Sequence, residues 1–595
     1  MKLLVPYLDQ LCPADERLMR LAKFLGIGSE SLPLAGNSGS WTNLASAAPG
    51  ESCVVVNPAV IEQWIQQAGA KDESAVSDLA TSLVSRFQHL LIHAAQPTPF
   101  HAKVVSAFSG GALQSVEAIG SGRDYQVSPD SKDFCEAFAG LRFGPANAAL
   151  DRVFSPAPGD FPGRKLISVG DGFLMAAIQK GSAEILFVGG EMADLNSAVG
   201  DAPVVEYFSQ LLPHAMALRH IFGEHSWRPS EAHASVIIDD PLLRPNYGFL
   251  NFDHLLGLMK QHNFHTTVAF IPYNFRRNSR RVIRMFQENT GRFSLCFHGN
   301  DHTGAEFAST DTALLNTMLQ IAEQRMSQHH KTTGLDCDRV MVFPQGNFSS
   351  ESMAVLSARN FDAAVNTTSH PRHQAVRLTL GEIAQPAVLR YGSFPLFLRK
   401  PSLQTQREDI AFNLFFGKPT LIVEHHDVFE HPERLVDVAA RINAVAPGIG
   451  WSGLGRALSR SVLRRRTLDG VSSVRVYGRT ASIFNSSGSV ERFEMEWNHN
   501  GLASSVAQVL RNGQPCDFTV PGEGRILLSA ELAPGTTETF AVVHRNPHTA
   551  LEGLGLQRKA WAFLRRRLSE VRDNYISKNP PMRAAAKMLR RRMVH

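Results

Sequence analysis

The sequence predicts a multidomain α/β protein whose middle is a closed or nearly closed α/β barrel. Three observations predict it. The chain has 595 residues, several times the roughly 100 to 200 residues of one domain. Strand-like apolar runs alternate with helical patterns along most of it. Beyond residue 470 the pattern changes to period-two alternation broken by glycine turns. Hydrophobic residues at 44% and charged residues at 19% are ordinary globular usage, which excludes wholesale disorder, a collagen-like repeat and a coiled coil.

In residues 1–225, the runs 3–5, 54–56, 90–92 and 185–188 read as strands, and 59–68 and 75–87 carry helical spacing. This alternation predicts a layered α/β domain with a mainly parallel sheet. Gly170-Asp171-Gly172 and Gly189-Gly190 complete no dinucleotide fingerprint and read as turns. No catalytic constellation occurs here, so binding or assembly is the expected role.

Residues 226–460 repeat strand, polar loop and helix, with strands at 234–238, 266–271, 293–297, 340–343, 363–365, 388–391 and 420–423. Seven such strands over about 230 residues suit an α/β barrel, which carries its reactive groups at strand C-terminal ends. The arginine-rich segment Arg456 to Arg466 reads as a link. Residues 468–548 alternate through Val474/Val476, Phe493/Met495/Trp497 and Phe540/Val542, with turns at Gly488, Asn500-Gly501, Asn512-Gly513 and Pro534-Gly535. A small antiparallel β-sandwich is expected, with the Trp497 stripe in its core.

The tail, 549–595, holds the basicity. Twelve Lys or Arg against Glu570 and Asp573 give Arg558–His595 a formal +10, while the whole chain is +5, so the first 557 residues sum to −5. Trp561, Phe563, Leu564 and Leu568 beside Arg565, Arg566 and Arg567, then Met588 and Leu589 before Arg590 to Arg592, suggest short basic amphipathic helices. A solvated arm, an anionic membrane surface and nucleic acid are the three readings of that charge. No apolar run reaches 18 residues, and Pro6 and Asp9 interrupt any signal-peptide core. Six cysteines without a C-x-x-C pair fit buried thiols in a reducing compartment. The expectation is a soluble, cytoplasmic protein.

The chemistry-bearing residues cluster at strand ends: Asp239-Asp240 before Pro241, His298-Gly299-Asn300-Asp301-His302, Pro344-Gln345-Gly346, and Glu424-His425-His426-Asp427. Histidines at i and i+4 share one face of a helical turn about 6 Å apart, close enough to hold one divalent ion. One carboxylate completes three protein ligands and leaves room for water and substrate, as in catalytic zinc sites. The adjacent carboxylate suits a base. A regular strand would send the two aspartates to opposite faces, so Pro241 is expected to mark a break that turns both inward. One of His425 and His426 faces the pocket as an acid near neutral pH, oriented by Glu424 or Asp427.

These motifs, in this order, resemble the polysaccharide deacetylase superfamily, the NodB-homology or carbohydrate esterase 4 group, over residues 230–455. The resemblance implies a distorted (β/α)7 barrel, with Asp239 as base, Asp240, His298 and His302 as ligands of Zn2+ or another divalent metal, and His426 or His425 as acid. The family's Asp-Asp-Gly is here Asp-Asp-Pro241. The arginine that orients the base, expected two residues before the motif-three proline, is Val342. The Ser or Thr after the first histidine is Gly299. Pro344 and Gly346, with Tyr273 and Asn274 after Pro272, are the expected substrate contacts, a plain loop being the alternative for the last two. His329-His330 and the His262/His265 pair read as solvated, and Cys296 as a packed core thiol. Asp301 is either a helix cap or a partner of a neighbouring histidine.

The expected function is metal-dependent N-deacetylation of a sugar or glycan. Alternatives are an inactive glycan-binding or scaffold protein, and a deformylase or other small-amide amidase. A cytoplasmic enzyme would act on a soluble or lipid-linked precursor, held at the inner leaflet by its basic tail. No nucleic-acid partner is expected.

Overall fold

The computed structural model describes residues 2–34, 52–68, 72–199, 204–374, 376–498, 506–522, 524–545 and 555–582. The turn at Asn500-Gly501 and the cluster at 588–592 lie outside the described residues. The chain divides into two compact units. One comprises Met1–Arg228, Thr379–Ala384 and Arg465–Gly470; the other comprises Pro229–Leu378, Gln385–Arg464 and Val471–His595.

In the first unit, strands Ser29–Pro33, Lys2–Tyr7, Ser52–Val56, His89–Ile92 and Ala183–Val188 pair in that order, all parallel. Ser52–Val56 is buried at every position, as a strand covered on both faces must be. Leu4, Val54, Ile61, Phe87, Leu90, Phe108 and Phe187 share the core. The mainly parallel sheet predicted from sequence covers only this half. Gly172–Lys180, Arg164–Val169, Tyr125–Val127 and Arg142–Phe143 extend the sheet with antiparallel pairs. Gly170-Asp171 turns the hairpin there, a two-residue connection possible only between antiparallel strands.

In the second unit, parallel pairings run from His233–Asp239 through Thr266–Phe270, Phe293–Phe297, Asp338–Val342 and Ala363–Asn366 to Leu396–Leu398. On its other side His233–Asp239 pairs with Thr420–His425, which pairs with Lys400–Pro401. Arg399 alone separates Leu396–Leu398 from Lys400–Pro401. The strand expected at 388–391 is not one. Val388 forms a single antiparallel bridge to Leu396, and Leu396–Leu398 takes the ladder position beside Ala363–Asn366. The long helix Thr312–Thr333 shows the local rules at work: Asp311 caps its first turn, accepting from Ala313 and Leu314 N–H, and Gly334 closes it in the left-handed conformation.

Two further sheets share one apolar core. Val462–Arg466, Ser472–Val476, Glu491–Asn498 and Arg525–Leu532 form part of one sheet. Thr480–Phe484, Thr537–His544, Val506–Arg511 and Gln514–Cys516 form the other. Phe493, Met495, Trp497 and Ile526 meet Ile483, Val509, Phe540 and Val542 between them. Two expectations are corrected. Ser472–Val476 and Glu491–Asn498 pair parallel, so this region is not purely antiparallel. The arginine-rich link is a helix, Leu454–Ser459, followed by a strand, Val462–Arg466, in which Val462 and Leu463 are buried, Arg464 and Arg465 half-buried and Arg466 exposed.

In the tail only the solvated-arm reading is corrected. Leu556–Val571 is one helix that continues into Arg572–Ile576, and it packs within the second unit instead of standing free. Among the described residues no helix is long and apolar enough to cross a membrane.

Candidate active site

The aspartate pair ends strand His233–Asp239, and the chain departs from extended geometry at once: Asp240 has φ +82°. A non-glycine residue in this region is strained and persists where the surroundings hold it. The break turns both carboxylates into the same interior, Asp239 being 2% exposed. Their partners differ. Arg399 donates to both oxygens of Asp239, Nη1 to Oδ1 at 2.7 Å and Nη2 to Oδ2 at 2.6 Å, a buried bidentate pair. Burial alone would raise the Asp239 pKa; Arg399, His298 and His425 outweigh it and hold the carboxyl below its ordinary value.

Asp240 faces two imidazoles. Its Oδ1 lies 3.4 Å from His298 Nε2 and 3.2 Å from His302 Nε2, and is buried without a hydrogen-bond donor. Ligand atoms about 2.1 Å from one tetrahedral ion stand about 3.4 Å from each other, so these separations fit a shared cation. His298 Nδ1 lies 3.0 Å from Val342 O. Donation from Nδ1–H leaves the Nε2 lone pair facing Asp240, the usual support of a ligating histidine. Burial opposes ionisation of Asp240, yet His302, His298 and Arg566 hold its pKa well below the carboxylate range. Burial keeps His302 neutral, its pKa pushed down to about 4. Among the described residues this is the one group of three with metal-ligating geometry, and the residues present fit a divalent ion. Cys296 is fully buried and outside the group.

The two histidines converge through a loop, where spacing alone pointed to a helical turn: none of residues 298–302 is helical, and Gly299 and His302 have φ of +67° and +56°. Glu306 ties the loop. Buried, it accepts from the N–H groups of Asn300 at 2.8 Å, Asp301 at 3.2 Å and His302 at 3.1 Å. The departure at Gly299 has a steric cause. A Cβ there would stand 2.1 Å from Glu306 Oε1 and 2.4 Å from Pro344 Cγ, so neither Ser nor Thr fits. Asp301 is an ion-pair partner of Arg325, which also donates to Asn300 Oδ1 at 2.7 Å.

Of the last strand's histidines, His425 is exposed and lines a cavity of about 570 Å³ with Asp239, Arg399, Gln345, Gly346 and Arg372. His426 is buried against Tyr247, ring centroids 5.2 Å apart, with its Nε2 3.5 Å from Asp573 Oδ2. Its carboxylate neighbour therefore comes from the C-terminal segment, not from Glu424 or Asp427. Glu424 accepts from Ser402 N at 3.0 Å, and Asp427 is exposed. Asp573 also accepts from Tyr247 Oη at 2.8 Å, Asn574 Oδ1 accepts from Gly248 N at 3.0 Å, and Glu570 pairs with Arg277. Arg566, 3% exposed, adds its charge beside Asp240 and His302.

Gly346 reaches the cavity, while Pro344 is buried against the histidine loop. Tyr273 and Asn274 are not among the residues lining the cavity. Asn274 is 2% exposed, and Tyr273 packs under the guanidinium of Arg325, 5.2 Å from its ring centroid. The expectation that His265 and His329 are solvated is wrong: they are 2% and 0% exposed, and burial lowers their pKa values to about 3 and about 4. Arg399, Glu306 and Asp573 were missed from sequence. Glu306 alone left a signal, an acidic residue four positions after the second histidine.

No family model matches the chain, and no curated protein matches it. Among solved structures it is similar to Agd3, described as a novel carbohydrate deacetylase, at 9% identity and TM-score 0.48, over 91% of this chain and 98% of that one. It is also similar to the Bc1960 peptidoglycan N-acetylglucosamine deacetylase, at 14% identity and TM-score 0.24, over 39% of this chain and 90% of that one. A family 4 carbohydrate esterase from Streptomyces lividans, in complex with acetate, matches at 12% identity and TM-score 0.23, over 38% of this chain and 92% of that one. The chain is thus similar in structure to two carbohydrate deacetylases and to a carbohydrate esterase of family 4.

Proposed function

We propose that this chain is a metal-dependent hydrolase that removes the N-acetyl group from a sugar or glycan, on a distorted (β/α)7 barrel flanked by an N-terminal α/β domain and a C-terminal β-sandwich. The observation that carries the reading is the pairing of one arginine-clamped aspartate with a second whose buried oxygen meets two histidines and no donor. Asp240, His298 and His302 would hold Zn2+ or another divalent ion, which when bound polarises the amide carbonyl and acidifies a water.

The chain's own groups do the rest. Asp239, kept ionised near neutral pH, accepts the proton of the attacking water. Arg399 fixes both of its oxygens, so the basic lone pairs are aimed before substrate arrives. His425, paired in register with Asp239 and lining the same cavity, protonates the departing amine in this reading. Gln345, Gly346 and Arg372 on the cavity wall are the sugar contacts. His426 is enclosed by Tyr247 and Asp573 and has the lesser part.

The test joins metal content to product release. Protein purified without added metal should carry about one transition-metal ion, lost in His298→Ala and His302→Ala. Released acetate should then be measured with N-acetylated and N-formylated sugars, comparing His425→Ala with His426→Ala. A wild type that takes up no metal in excess zinc overturns the hydrolase reading. A larger loss in His426→Ala than in His425→Ala moves the proton donor to His426.

A further inference from the structure

Thirteen large apolar side chains are exposed among the described residues, and eight of them lie between Leu556 and Met582. Within the C-terminal helix and its continuation, Trp561, Leu564, Leu568, Val571 and Tyr575 are 55%, 49%, 58%, 47% and 69% exposed. Their spacing of three, four, three and four residues makes one continuous stripe. The other face is the one that packs. Ala562 and Arg566 are buried, Glu570 pairs with Arg277, Asp573 accepts from Tyr247 Oη, and Asn574 accepts from Gly248 N. A surface helix of a globular protein buries its apolar stripe and exposes its polar side. This helix does the reverse, holding on through polar groups with its apolar stripe outward.

The flanking charges select the occupant. Arg565, Arg567 and Arg572 border the stripe, at the positions that face each other when two such helices pair. A second copy would therefore set arginine against arginine. The helix's two acidic residues are engaged by Arg277, Arg567, Arg572 and Tyr247, and because the arginines of 558–572 outnumber them the outward side stays net cationic. Aromatic and leucine side chains bordered by arginines match the boundary of a bilayer that carries anionic headgroups.

We propose that the outward face of the C-terminal helix docks on an anionic lipid surface, lying in the plane of the interface. The inward face keeps its bonds to Tyr247, Gly248 and Arg277, so docking would hold the candidate site next to the bilayer. The inference is independent of the reaction proposed above.

The full chain should be sedimented with vesicles of phosphatidylcholine alone and of phosphatidylcholine with about a third phosphatidylglycerol. It should bind the second and not the first, with affinity falling as salt rises. Trp561→Ala/Leu564→Ala/Leu568→Ala and, separately, Arg565→Glu/Arg567→Glu should each weaken binding by roughly tenfold or more. Trp561, Leu564, Leu568 and Arg567 are exposed and Arg565 is half-buried, so thermal unfolding of both variants should stay close to the wild type. Failure to bind phosphatidylglycerol vesicles, or binding undiminished in either variant, overturns the proposal. So does a lipid-free dimer that the apolar variant dissociates, since the stripe would then belong to a second copy.

Discussion

Asp239 and Asp240 are chemically identical neighbours, and the fold gives them opposite fates. Asp239 is satisfied from within, clamped on both oxygens by Arg399. Asp240 is held in a strained conformation with one oxygen lacking any donor, facing two imidazoles. A buried carboxylate must be paired with a cation. Asp239 has its cation in direct contact, while Asp240 has the Arg566 charge nearby but no donor on Oδ1, which under the proposed function is where a divalent ion would bind. The difference comes from the strand break, since a continued strand would have sent the second carboxylate away from the first.

The comparison is broken most severely at the base. Asp239→Asn should keep about one metal ion per chain by elemental analysis while the rate of acetate release falls by roughly 10²–10⁴-fold; metal lost along with activity would make Asp239 a ligand, and the two aspartates equivalent. Arg399→Ala leaves Asp239 buried and unpaired, which should cost about 3–5 kcal/mol in denaturant unfolding. Arg399→Ala combined with Asp239→Asn should recover part of that loss. On the Asp240 side, Glu306→Gln keeps the shape but weakens the support of the histidine loop. It should lower metal affinity by roughly 10- to 100-fold in a chelator competition, with little change in the ionisation of Asp239.

The smallest expected effect is on pH. The Asp239 pKa is depressed in the folded protein, so its contribution to stability is complete above the unfolded value of about 3.9 and is lost as pH falls through the lower folded value. Metal-free wild type should therefore destabilise on acidification below about pH 4 more steeply than metal-free Asp239→Asn. Parallel curves would show that Arg399 holds Asp239 no more strongly than solvent does.

Much of the candidate site was legible because its motifs are local. Asp239-Asp240, His298 with His302, Pro344 to Gly346 and His425-His426 each follow an apolar strand, and period and strand-end position are read within a few residues. Arg399 was not legible. It follows a strand whose place in the ladder sequence reading gave to 388–391, and its partner lies 160 positions away. The burial of His265 and His329 was likewise invisible, because burial depends on what packs above a residue and not on its neighbours in the chain. The tail was legible only in part for a related reason: its amphipathic pattern is real, but pattern does not say which side faces inward.

By itself the sequence determined the strand and helix periods, the order of the acidic and histidine clusters, the break at Pro241 and the basicity of the tail, all consequences of side-chain chemistry over short spans. Tertiary structure alone decided which arginine neutralises Asp239, why Gly299 excludes a side chain, and that Asp573 and Arg566 come to lie beside His426 and Asp240. Those outcomes rest on contacts between residues distant in sequence, where burial cost and steric exclusion select partners that no local pattern encodes.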